Sequence, residues 1–240
     1  SAVLLKNAEN ILPVCGRERT VALIGAFAAE PRYQGAGSSR IVPTLMDTAV
    51  QALPLCGMNI KGYARGFRAD GKADSALAAE AAKLAGAADV ALLYLGLPDS
   101  GETEGEDRTD MLLPENQIEL LKTIAGVNEN VVVVLSCGCA VEMQWHRYAK
   151  AVVHGYLGGQ AGAMAMARLL TGQVNFSGKL AETMPLSLAA TPSSPFFPGR
   201  EATAEHREGI YVGYRYYETA KVPAMYPFGF GLRYTTFEYS

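Results

Sequence analysis

The chain has 240 residues, 49% of them hydrophobic, and a formal net charge of -3, so it can bury a sizeable core as one large domain or two small ones. Its lysines and arginines are scattered and form no basic run, which removes the electrostatic footprint expected for a nucleic-acid partner or an anionic membrane surface. No stretch approaches the ~20 apolar residues of a membrane span, and "SAVLLKNAENILPV" lacks the basic start and long apolar core of a signal peptide, so a cytoplasmic location is expected.

In chain order, the first apolar run of strand length is "TVALIGAF". It leads into "FAAEPRYQGAGSSRIVPT", whose Gly35, Gly37, Ser38 and Ser39 have the look of a phosphate cradle. No Lys-Ser/Thr pair follows them and the three-glycine dinucleotide spacing is missing, so the pattern falls short of a nucleotide motif. Helical spacing of apolar residues marks "TLMDTAVQALPL" and "ADSALAAEAAKLAGA", and "DVALLYLGL" is the next strand. After an acidic stretch, "PENQIELLKTIAGVN" opens with Pro114 and Glu115 where a helix start wants them. "NVVVVLSCG" and "AVVHGYLGG" supply two more strands, and "AGAMAMARLLTGQV" a helix with Gly172 as its stop.

These runs are continuous rather than alternating, which suits strands covered on both faces. Strands interleaved with helices predict an α/β fold over residues 1–176, with a mainly parallel sheet covered by helices on both faces, an α/β sandwich. From about Asn175 the chain turns rich in Pro, Ser and Gly without a helical period, then ends in a Tyr- and Phe-dense segment. Residues 177–240 are therefore read as an excursion and tail packed on the same domain. Cys137 and Cys139 are too close in one extended segment to bridge comfortably, and Cys15, Cys56, Cys137 and Cys139 are all expected as free thiols.

The acidic stretch "DSGETEGEDRTDMLLPENQ" begins just past the end of "DVALLYLGL", where ligands gather in a parallel sheet. Glu102, Glu104 and Glu106 alternate there with small residues ahead of Asp107 and Arg108. The run is compatible with a solvated acidic turn. A hard-cation site would need a ladder of oxygens at defined offsets, which is absent. A proton donor needs only one carboxyl whose neighbours raise its pKa, and clustered carboxylates are a way to raise it.

Taken together, "ETEGEDRTDMLLPENQ", "NVVVVL", "VEMQW", "GYLGGQ", "SGKLAETMP", "GIYVGYRYYE" and "YPFGFGLRYTTFEYS" resemble, in order and spacing, the α/β sandwich domain of glycoside hydrolase family 3. The openings "VLLKNAENILPV" and "PRYQGAGSSRIVPT" resemble the same domain's beginning, so the likeness runs through essentially the whole chain. Glu106 departs from the family pattern, which commonly has an aromatic there, as do Phe176, Arg233 and the Cys137–Cys139 pair.

The resemblance implies a retaining, exo-acting β-glycosidase of the β-glucosidase kind, with a β-linked glucoside or related oligosaccharide as its substrate and no cofactor or metal. It places the acid/base on Glu104 and the nucleophilic aspartate on a (β/α)8-type barrel domain of the same or another polypeptide. No barrel can be read in this chain, and its first residue is Ser1 rather than Met, so an incomplete, inactive fragment is expected. Asp107 and Arg108 are expected to pair within the loop and hold Glu104. Glu102, Arg32, Tyr33 and Gln34 are candidates for sugar binding or for orienting the loops. The alternative is a carbohydrate-binding module that works alone, without catalysis.

Overall fold

The computed structural model describes residues 2–16, 18–38, 40–199 and 202–238. Six strands form one sheet: β1 (Val3–Asn7), β2 (Thr20–Ile24), β3 (Asn59–Ala64), β4 (Val90–Gly96), β5 (Val131–Ser136) and β6 (Ala151–His154). Their order across the sheet is β1-β6-β5-β4-β2-β3, with only the edge strand β1 antiparallel to its neighbour. All seven residues of β4 are buried, as are the first five of β5, which is why both read as unbroken apolar runs.

Helices cover both faces. The short α1 (Ala26–Ala29) and α2 (Ala49–Leu55) follow β2, α3 (Ser75–Gly86) follows β3, α4 (Glu115–Ala125) follows β4, and α5 (Gly162–Leu170) follows β6. α2 packs on α5, and α3 packs on α4. Local chemistry sets the ends. The side chain of Thr48 caps α2 by accepting from Gln51 N, and Asp74 caps α3 by accepting from Leu77 N. Gly172, in the left-handed region at φ 76°, turns the chain away after α5.

The structure departs from the sequence reading at its edges. "TVALIGAF" is a strand only to Ile24, because the chain turns at Gly25, where a side chain would collide with the Tyr94 carbonyl. "AVVHGYLGG" is a strand only over Ala151–His154. β1 and β3 escaped the reading altogether. "VLLKN" has only three apolar residues in a row, and "NIKGYA" carries Lys61 and Gly62, poor strand formers that an edge position tolerates. The Tyr-rich tail contains a helix, α6 (Tyr214–Ala220), and the short strand β8 (Ala224–Tyr226), paired with β7 (Met184–Pro185). The tail returns to the sheet: Leu232 N donates to Leu4 O, and Leu180 N donates to Phe230 O, both at 2.8 Å. All four cysteines are free. Among the described residues, no helix is long and apolar enough to cross a membrane.

Two features of this topology position the site. From β2 the chain passes outward to β3, and from β4 it passes the other way to β5. The loops leaving these adjacent strands therefore diverge and open a crevice at their carboxyl ends. The end of β4 is in turn locked by Gln117 on α4, a fully buried side chain. Its Oε1 accepts from Gly96 N at 2.9 Å and its Nε2 donates to Gly96 O at 2.8 Å, imitating a neighbouring strand. Gln117→Ala strands both backbone groups, so we expect a loss of about 2–4 kcal/mol. It should appear in urea unfolding as a lower midpoint with an unchanged slope.

Candidate active site

The crevice is bounded by the loop after β2, which carries Arg32 to Ser38, and the loop after β4, which carries Asp99 to Arg108. Arg32 joins them. Its Nε donates to Leu97 O at 2.7 Å and its Nη1 to Gln34 O at 3.2 Å and to Asp99, while Nη2 donates to Glu102 Oε2 at 2.9 Å. The Arg32 and Glu102 side chains are 7% and 8% exposed, so the pair is buried. The other oxygen of Glu102 accepts from Gly138 N, beyond the end of β5, and lies 3.5 Å from Cys139 Sγ. Three strand ends are thus tied through one carboxylate and one guanidinium. Tyr33 and Gln34 serve their own loop: the Tyr33 hydroxyl and Gln34 Nε2 both donate to Ile41 O, and Gln34 Oε1 accepts from Ile41 N.

One step further out, the two loops pair like strands. Ala36 N donates to Glu102 O at 3.0 Å, and Ala36 is bridged to Thr103. The next contact is Glu104 itself. Its carboxylate accepts from the amide of Ser38 at 3.2 Å and from the Ser38 hydroxyl. Gly37, at φ 108°, lies so near that a Cβ there would come within 3.0 Å of Glu104 Cβ, and only glycine tolerates both demands. The glycine-rich segment is therefore a cradle for a carboxylate of the same chain. Ser39, also singled out by the sequence, lies outside the described residues.

Glu104 is exposed, and the Ser38 hydroxyl, then the Ser38 amide, hold its carboxyl below the ordinary glutamate range. The sequence reading offered clustered carboxylates as a way to raise it. The correction has a simple cause: two donors favour the ionised form, the group is solvated, and its acidic neighbours are engaged elsewhere or point away. Ionised and open to solvent, the carboxylate can accept a proton as it stands. Donating one requires something that desolvates it or sets a negative charge beside it.

A second expectation also fails. Among the described residues no ion pair joins Asp107 to Arg108. Asp107 is exposed, whereas Arg108 turns inward and its Nη1 donates to Cys139 Sγ at 2.9 Å and to Ala140 O at 3.4 Å. The residues lie in a segment with neither helix nor turn, where neighbouring side chains diverge. The buried ion pair of this loop is instead that of Arg32 with Glu102. Burial, its largest cause, pushes the Cys139 thiol up to about 11, so it stays protonated beside Glu102 at neutral pH.

A cleft of about 850 Å³ lies on the α4 side of this loop. It is lined by Leu97, Arg108, Leu113, Trp145 and Tyr148, with Glu106 and Asp107 also facing it. Glu104 is not part of its wall, and a separate cavity of about 660 Å³ is lined by Arg32, Tyr33, Gln34 and Asp99 of the crevice loops. Among the described residues no group of three or more His, Cys, Asp or Glu side chains is placed to hold a metal ion. Replacing Ser38 by Ala removes the larger of the two stabilising contacts. The Glu104 carboxyl, followed by ¹³C NMR, should titrate below the usual glutamate value of about 4.3 in the parent chain and move upward in Ser38→Ala.

The fold accords with what comparison with known proteins finds. Residues 2–234 match the family model described as the glycosyl hydrolase family 3 C-terminal domain. The chain is 48% identical over 244 residues to the thermostable β-glucosidase B of Acetivibrio thermocellus, a match covering 100% of this chain and 32% of that protein. It is 44% identical over 248 residues to an exo-α-(1→6)-L-arabinopyranosidase of Bifidobacterium longum, covering 99% of this chain and 33% of that one. The crystal structure of a Bifidobacterium adolescentis GH3 β-glucosidase superposes with a TM-score of 0.93 at 46% identity, over 98% of this chain and 35% of the other. The chain thus spans about a third of the length of these relatives. With the family model matched over residues 2–234 and the chain superposing on a solved member, this chain belongs to glycosyl hydrolase family 3, as its C-terminal-type α/β sandwich domain.

Proposed function

We propose that this domain supplies the acid/base carboxyl, Glu104, of a retaining exo-acting β-glycosidase whose nucleophile resides on a separate barrel domain. The observation that carries this reading is the placing of Glu104. It is an ionisable carboxyl held by Ser38 and by the close approach of Gly37, at the topological switch of the sheet, with its open side facing solvent.

Retaining hydrolysis needs two carboxyl groups roughly 5 Å apart. Glu102 is committed to Arg32 and Gly138, and in this reading, which follows the family resemblance, the nucleophile comes from the barrel. The low pKa of Glu104 then becomes part of the cycle. A nucleophilic carboxylate brought beside it, with a sugar excluding water, raises its pKa through like charge and desolvation, and Glu104 protonates the departing oxygen. Once the sugar is esterified to the nucleophile, that negative charge is gone. Glu104 returns toward the low value set by Ser38 and takes a proton from the incoming water. Relatives named for β-glucoside and for arabinopyranoside cleavage are 48% and 44% identical here, so this reading assigns the choice of sugar to the barrel and takes a β-linked glucoside as the substrate class.

Purified by itself, the 240-residue chain should turn over aryl β-glucosides no faster than buffer, since it lacks the covalent half of the double displacement. Robust turnover would contradict the division of labour. In the barrel-containing protein, Glu104→Ala should slow substrates with poor leaving groups by ~10² to 10⁴, and activated aryl glycosides far less. Azide should restore turnover of the activated substrate and yield a β-glycosyl azide. Rescue of Glu102→Ala or Glu106→Ala but not of Glu104→Ala would move the assignment.

A further inference from the structure

We propose that Arg32 and Glu102 are positioning residues for Glu104, forming a buried clamp that sets the acid/base carboxyl without touching the sugar. The inference rests on the reading of Glu104 given above and adds the machinery that aims it. Four observations carry it. First, both side chains are more than nine-tenths buried, and the hydrogen-bonding atoms of the pair face protein groups, which leaves a bound sugar little to reach.

Second, the clamp grips backbone as well as charge. Arg32 donates to the carbonyls of Leu97 and Gln34, one on each side of the crevice. Third, Glu102 carries the connection to a further loop by accepting from Gly138 N. Fourth, the path from clamp to carboxyl is short and hydrogen-bonded at each step. Glu102 O accepts from Ala36 N, Thr103 is bridged to Ala36, and Glu104 follows against Gly37 and Ser38. Any shift of residue 102 is therefore passed within two residues to Glu104. A misplacement of about 1 Å in a catalytic group can cost on the order of 10² in rate. The buried pair is thus a determinant of turnover although it lies behind the reacting atoms.

A double-mutant cycle in the barrel-containing protein tests the proposal. Arg32→Lys and Glu102→Gln should each lower kcat on a poor-leaving-group β-glucoside by about 10- to 100-fold with KM nearly unchanged, and should affect an activated aryl glycoside much less. Combined with Glu104→Ala, either change should cause little further loss, because it acts only through that carboxyl. Losses that multiply, or a KM that rises for both substrates, would mean contact with the sugar or a general structural role and would overturn the proposal. The single variant Glu104→Ala reports separately on the acid/base reading.

The 240-residue chain offers an independent check. In Glu102→Gln, which keeps size and removes charge, the ¹³C titration of Glu104 should move up toward the ordinary glutamate value as its hold on Ser38 loosens. A folded Glu102→Gln chain, verified by circular dichroism, with an unmoved Glu104 titration would also overturn it. Should Arg32→Lys fail to fold, Glu102→Gln alone decides.

Discussion

At the point where the connections of the sheet diverge, the Arg32 guanidinium and the Glu102 carboxylate lie 2.9 Å apart and almost wholly out of water. Burying an ion costs several kcal/mol, and the mutual attraction repays it only if the remaining donors and acceptors are also matched. Here they are largely matched, by Leu97 O, Gln34 O and Asp99 on one side and Gly138 N on the other. Removing one partner of such a pair typically costs 3–5 kcal/mol. The loops after β2, β4 and β5 therefore cannot drift independently, and the geometry of the crevice follows from that constraint.

The support beneath the crevice is of a different kind. β4 and β5 are nearly dry on both faces, and the polar groups at the end of β4 are paired by the buried amide of Gln117. A rigid apolar sheet, a polar lock at its rim and a charged clamp above it make three successive layers. Glu104 sits beyond all three, in solvent, where its ionisation answers to whatever approaches. This division holds a carboxyl firmly in place while its pKa stays open to change by desolvation or a neighbouring charge.

The loop also shows how adjacent residues in sequence can have unrelated roles. Glu102, Glu104 and Glu106 look equivalent in "ETEGED", yet one is buried in an ion pair, one is held by a serine at the crevice mouth, and one faces a separate cleft behind the loop. Arg108, expected to pair with Asp107, instead reaches Cys139 and the Ala140 carbonyl. Those partners come from the loop after β5, more than thirty residues away, and nothing in the local spacing announces them.

The sequence by itself determined what depends on local pattern. Continuous apolar runs marked β2, β4, β5 and β6, three-to-four spacing marked α2 and α3, start and stop residues marked α4 and α5, and their alternation gave a mainly parallel sheet covered on both faces. The order and spacing of motifs also identified the family. The strands β1 and β3 and the helix α6 were not legible, because short edge elements draw their stability from a neighbour rather than from their own composition. Above all, tertiary structure decided the surroundings of each charge. The burial of Arg32 beside Glu102, the meeting of Gly37 and Ser38 with Glu104 across 67 and 66 positions of sequence, and the resulting low pKa depend on two loops that the sheet order brings together. Solvation and hydrogen bonding act through space, so a carboxylate's chemistry is written in its neighbours and becomes readable only when the fold has chosen them.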